Sequence, residues 1–281
     1  MSGGDERQRS HSDPVMPCTA PFCCGGDVDT MHSLAKTAGL DWQPSHAAPL
    51  RAEVLRASAL ALFTVAGIGL IIRPWLQLGA LYPGKAAAVC AAAMAMAAGH
   101  AGAHHPYGRL GPANHVTMIR VMVVALIASL IAEPELPRIA LAASIAAGAM
   151  TVLDGVDGWL ARRSGMASSF GARFDMETDA ALVMAMSILI WQHEKAGAWA
   201  LAGGLMRYLF VIAGWWLPWM TGPLTPTRRA RVITVCHMVA LSVALAPFVP
   251  VPFSTIAAGL TTAALAWSFA VDVRRLWRMA E

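Results

Sequence analysis

Long apolar runs alternate with short polar breaks from Arg51 to the end of the chain, and each run is the length of a membrane helix. A spanning helix needs about 20 mostly apolar residues. Eight runs meet that expectation: 53–73, 84–104, 114–132, 138–160, 175–193, 197–218, 230–247 and 252–272. The stretch 232–271 has no Asp, Glu, Lys or Arg and is too long for one span. Pro247, Pro250 and Pro252 divide it into a hairpin, because proline removes a donor and blocks helix continuation. The run 84–104 is rich in Ala, Gly and Met, which predicts close packing on a neighbouring helix. Residues 1–48 have no apolar period and read as a disordered cytoplasmic tail. They do not form a signal peptide, and Met31 offers an alternative start.

Composition supports a membrane protein. Hydrophobic residues make up 57% of the 281 and charged residues 14%, whereas a soluble domain carries roughly 25% charged residues to solvate its surface. The net charge of +4 does not point to nucleic acid, because the basic residues lie between apolar runs and form no continuous patch. The five cysteines are odd in number and scattered, so a disulfide framework is not expected. Cys18, Cys23 and Cys24 with His11 and His32 match no zinc spacing.

Charge placement orients the eight spans. With an even number of spans, one side holds Lys36, Arg51, Arg56, Arg109, Arg162, Arg163, Arg173, Arg228, Arg229, Arg231, Arg274, Arg275 and Arg278. The other side holds Arg73, Lys85, Arg138 and Lys195. The positive-inside rule puts both termini in the cytoplasm. Trp215, Trp216 and Trp219 at a span end read as an interfacial anchor.

Intramembrane ionisable residues are costly and therefore mark function. Five of the seventeen acidic residues fall in the window Asp154–Asp179: Asp154, Asp157, Asp175, Glu177 and Asp179. Asp154 and Asp157 are three residues apart, and Asp175 and Asp179 four apart, so each pair shares one helix face. Gly158 and Ala161 keep the first face open. Residues 162–174 are expected to be a short cytoplasmic connection, which makes the two helices antiparallel neighbours. The four aspartates would then converge at the cytoplasmic edge, with Glu177 pointing away as a boundary contact. Close carboxylates repel and take up protons unless a cation joins them. Mg²⁺ suits such a site, since it prefers oxygen ligands and bridges carboxylates to phosphates. Helix capping, or pairing with Arg162, Arg163 and Arg173, accounts less well for two correctly spaced pairs.

The window resembles the signature of the CDP-alcohol phosphatidyltransferase family, D-x2-D-G-x2-A-R-x8-G-x3-D-x3-D. Asp154, Asp157, Gly158, Ala161, Arg162, Gly171, Asp175 and Asp179 occupy every defined position. Upstream, Asn114, Thr117 and Arg120 match the family's N-x2-T-x2-R helix start. The resemblance implies an all-α integral membrane protein. Residues 111–281 would form a six-helix core, preceded by two additional transmembrane helices over 49–110. It implies transfer of a phospho-alcohol from a CDP-alcohol, usually CDP-diacylglycerol, to a hydroxyl acceptor, with release of CMP.

Carried over by position, Asp154, Asp157, Asp175 and Asp179 would hold two Mg²⁺ ions, with Mn²⁺ as a substitute, and Asp179 would also act as general base. Asn114, Thr117, Gly158, Arg162 and Ser168 would contact the CDP part. Arg207, a lone cation in the sixth span, and Arg228, Arg229 and Arg231 are candidates for a phosphorylated acceptor such as glycerol 3-phosphate or an inositol phosphate. For the loop cluster, positive-inside topology with anionic-lipid contact is the competing reading. His100, His104, His105 and His115 read as interfacial or packing residues. The expected partners are a CDP-lipid, a small polar acceptor and the bilayer of a bacterial inner membrane; a homodimer stays open. The competing functions are a membrane cation transporter and an inactive family-derived protein.

Overall fold

The computed structural model describes residues 47–104, 112–164, 169–221 and 227–280. The predicted tail, with its cysteines and histidines, lies outside them. The described residues contain eight α-helices and no strand: α1 Ala47–Leu76, α2 Tyr82–His104, α3 Pro112–Ala128, α4 Pro137–Ser164, α5 Ser169–Gln192, α6 Leu201–Trp216, α7 Arg228–Leu245 and α8 Val251–Ala280. Each corresponds to one predicted apolar run. Among the described residues, four segments are long and apolar enough to cross a membrane: Leu55–Leu76, Pro137–Asp154, Ala198–Trp216 and Val251–Ala280. Charged residues interrupt the N-terminal half of α5, Asp175 to Asp179, and the first turn of α7, Arg228 to Arg231, which shortens the continuous apolar stretch.

Several boundaries differ from the hydropathy reading. The expected connection 162–174 is largely helical: α4 runs to Ser164 and α5 begins at Ser169. Hydropathy marks where an apolar run ends, but the hydrogen-bond ladder of a helix continues past that point wherever no proline interrupts it. For the same reason α8 extends past residue 272 to Ala280. The third helix stops at Ala128 rather than 132. Ala132 adopts a left-handed φ of 62°, and its N–H donates to the Gln192 side chain, which ends the helix in a tight turn. The sixth run opens as a 3-10 turn, Ala198–Ala200, before α6. The proline hairpin is as expected, with α7 ending at Leu245 and α8 starting at Val251.

The core is built by α3, α4, α5 and α7. Ile127, Ile139, Leu182, Met186, Leu189, Leu241 and Leu245 are buried together. Ala140, Ala143 and Ala147 form a small-residue stripe on α4, and the Ser144 hydroxyl donates to the Ser242 carbonyl of α7 at 2.6 Å. Small side chains let the backbones approach, which is how helices associate where lipid offers no hydrophobic contrast. The α1–α2 hairpin packs on α3 through a second cluster: Ala61, Val65, Ala86, Cys90 and Met94 meet Met118, Val121 and Ala125. The alanine-rich second run therefore does pack closely on its neighbours.

Alternate turns gather at one end of the bundle. Glu133, after α3, pairs with Lys85 of α2 and accepts the Gly79 N–H at 2.6 Å. Gln192 donates to the Glu133 carbonyl, and Arg138 donates to Gln77. Lys195 donates to the carbonyls of Ala246 and Val249. The four cations expected on one side of the membrane, Arg73 included, thus occur at helix ends that face the same way. The aspartate window points to the other end, because Asp154 lies nearly five turns along α4 from Pro137, about 25 Å.

Candidate metal and phosphate site

Three helices meet at the aspartates. Asp154 comes from α4, Asp175 and Asp179 from the second and third turns of α5, and Arg120 from α3. One carboxylate oxygen from each aspartate lies within 4.8 Å of the others. The Arg120 side chain, 1% exposed, sits among them: Nη1 is 3.2 Å from Asp154 and also pairs with Asp175, while Nη2 pairs with Asp179. The aspartates are partly open, with side chains 21–32% exposed.

Three anions around one guanidinium leave net negative charge. At an effective dielectric of about 20, each pair of carboxylates 4.8 Å apart repels by roughly 3 kcal/mol. Fixing such groups on three packed helices is costly unless more positive charge arrives. The donors are all hard oxygens, which suits Mg²⁺ or Mn²⁺ rather than a soft metal. The residues present therefore fit a divalent cation.

The other predicted residues divide by what surrounds them. Thr117 is 3% exposed, one turn before Arg120 on α3. Asn114, Asp157, Gly158 and Arg162 fall within α3 and α4, but their side chains are outside the described part, as are those of Arg163 and Arg173. Ser168 lies outside the described residues. Glu177 faces away from the cluster, as expected, and forms an ion pair with Arg207 of α6. Arg229 pairs with Asp272 of α8 at 2.5 Å and stacks over Trp267, 5.4 Å from the ring centroid. Arg228 and Arg231 are exposed at the start of α7. Arg207 and Arg229 are thus each held by a carboxylate on a neighbouring helix. His115 is exposed. Trp215 and Trp216 project outward, whereas Trp219 packs on Trp277 at 5.7 Å.

The sequence reading gave Arg120 no role beyond a motif position. The signal was present: it is a lone cation inside the apolar run after Val116, the criterion that singled out Arg207. The additional hairpin also reaches the site. Phe174, next to Asp175, packs against the cluster that joins α1 and α2 to α3. Thr178 donates to the Phe174 carbonyl and rigidifies the same turn.

No curated protein and no solved structure matches the chain. A family model, CDP-alcohol phosphatidyltransferase, matches residues 111–272, which is more than half of the chain and contains α3 to α7, most of α8 and all four residues of the cluster. That family comprises membrane-embedded transferases that move a phosphatidyl group from a CDP-alcohol to an alcohol acceptor with the help of a divalent metal. With its apolar helices and its carboxylate cluster inside the matched region, this integral membrane chain belongs to the CDP-alcohol phosphatidyltransferase family.

Proposed function

We propose that the protein transfers the phosphatidyl group of CDP-diacylglycerol to a small hydroxylated acceptor, releasing CMP on the cytoplasmic side of an eight-span bundle. The observation that carries this reading is the convergence of Asp154, Asp175 and Asp179 on helices whose sequence contains the complete family signature. The Lys/Arg asymmetry between the two ends of the bundle supports the orientation.

In this reading Asp154, Asp157, Asp175 and Asp179 would hold two Mg²⁺ ions. When bound, the metal supplies charge neutralisation at the pyrophosphate oxygens, the main requirement of phosphoryl-type transfer. Gly158 lets the nucleotide approach the α4 backbone, where a side chain would stand in the way. Asn114, Thr117, Arg162 and Ser168 bind the CDP part. Asp179 accepts the proton of the acceptor hydroxyl as its oxygen attacks the phosphatidyl phosphorus. The bond from that phosphorus to the CMP oxygen breaks, and CMP leaves with the electron pair. The lipid tails stay in the bilayer. Arg207, Arg228, Arg229 and Arg231 bind the phosphate of a phosphorylated acceptor such as glycerol 3-phosphate or an inositol phosphate. Glu177 and Asp272 hold two of these guanidinium groups in place, and a phosphate would compete for them.

The test is CMP release from CDP-diacylglycerol by the purified protein in nanodiscs with Mg²⁺ and a panel of acceptors, with lipid products read by mass spectrometry. Asp154→Asn, Asp157→Asn and Asp175→Asn should each weaken Mg²⁺ and CDP-lipid binding. Asp179→Asn should keep much of its CDP-lipid affinity while kcat falls about 10² to 10⁴-fold, the usual contribution of a general base. Near-normal turnover in Asp179→Asn, or normal binding and turnover in the other three, would overturn the assignment.

A further inference from the structure

Arg120 differs from the other cations of the described ion pairs. Lys85, Arg207 and Arg229 each meet one carboxylate and are themselves about a third exposed, at 35%, 30% and 28%. Among the described residues, Arg120 meets three carboxylates, and it is 1% exposed. Its partners are also the three residues whose oxygens lie close enough to share a cation. A buried guanidinium cannot give up its anions without a large desolvation penalty, and three crowded carboxylates cannot give up their cation without mutual repulsion. Each side requires the other for as long as no further charge is present.

A divalent ion changes that balance, because it binds the same oxygen lone pairs and brings twice the charge. Within the reading of this cluster as the metal site, we propose that Arg120 is its resident counter-cation: it holds the three helices together without metal and competes with the divalent ion for Asp154, Asp175 and Asp179. Loading would then be an exchange, in which the carboxylates turn from the guanidinium toward the ion. Arg120 is a positioning residue in this scheme. It lowers metal affinity and makes the fold independent of metal.

The roles can be separated by measuring Mn²⁺ binding by electron paramagnetic resonance, and thermal unfolding in EDTA and in Mg²⁺, for the full chain in detergent. Arg120→Met should bind Mn²⁺ about tenfold or more tightly than the wild type, because one repelling charge a few ångströms from the ion is gone. It should unfold at a lower temperature in EDTA and recover in Mg²⁺, whereas the wild type, which binds the ion more weakly, should gain less between the two. Arg120→Lys retains the charge and should keep Mn²⁺ affinity within about threefold of the wild type. Arg120→Met that is stable only in Mg²⁺ supports the exchange. Arg120→Met that fails to fold even in saturating Mg²⁺ overturns it, because the ion then cannot replace the guanidinium. Wild-type protein that binds Mn²⁺ while Arg120→Met binds it no more tightly overturns the exchange alone and leaves the metal site standing. Absence of Mn²⁺ binding in both proteins overturns the exchange and the metal assignment together.

Discussion

Replacing Gly204 by alanine tests how closely α5 and α6 must approach. A Cβ built on Gly204 would lie 2.7 Å from the Met184 Cα, 3.0 Å from its Sδ and 3.2 Å from its Cβ. Carbon atoms in contact settle near 3.5–4.0 Å, so the helices must separate by roughly 1 Å. The closest atom is backbone, and a side-chain rotation cannot relieve the clash. Overpacking of this kind costs about 1–3 kcal/mol, and the helix preference of alanine over glycine returns about 1. A net loss of up to about 2 kcal/mol would lower Tm by as much as roughly 8 °C for a chain of this size. Gly148→Ala is the control, since a Cβ there meets nothing within 4 Å and the same propensity gain acts alone. Thermal unfolding of both variants in detergent should show Gly204→Ala below the wild type and Gly148→Ala at or above it. Because α5 also carries Asp175 and Asp179, CMP release should fall with Gly204→Ala and not with Gly148→Ala. Equal stability and equal turnover in the two variants would refute the close α5–α6 packing.

Glu133→Ala removes the acceptor of the Gly79 N–H and the partner of Lys85. It should cost about 2–4 kcal/mol, mostly from the charge-assisted bond, while turnover per folded molecule stays near wild type because the aspartates lie at the other end of the bundle. Arg207→Ala should raise the KM for a phosphorylated acceptor and leave CDP-lipid binding little changed; an unchanged KM would reassign Arg207 to pairing with Glu177. Cysteines placed within 133–136 and within 165–168 should be labelled from opposite sides of the membrane, and labelling from the same side would sink the eight-span topology.

Much of this protein was legible in the linear order of its residues. Apolar runs of spanning length located all eight helices, because a membrane helix satisfies its own backbone and needs only a long apolar stretch. Pro247, Pro250 and Pro252 located the α7–α8 turn by the same local chemistry. The spacing of Asp154, Asp157, Asp175 and Asp179 made the candidate site visible, since i,i+3 and i,i+4 positions share a face whatever the helix packs against. Helix ends were less legible where charged residues follow an apolar run: the apolar stretch of α4 ends before Arg162 while its helix continues to Ser164. The convergence of Asp154 with Asp175 and Asp179 was legible, but the partners of the cations were not. That Arg120 meets the aspartates, that Glu177 holds Arg207 and that Phe174 ties the site to the added hairpin depend on how α3, α4, α5 and α6 rotate about their axes. Those rotations are set by small residues such as Ala143, Ala147 and Gly204, whose effect is to let neighbouring backbones approach, and only the assembled helices determine which charges then face each other.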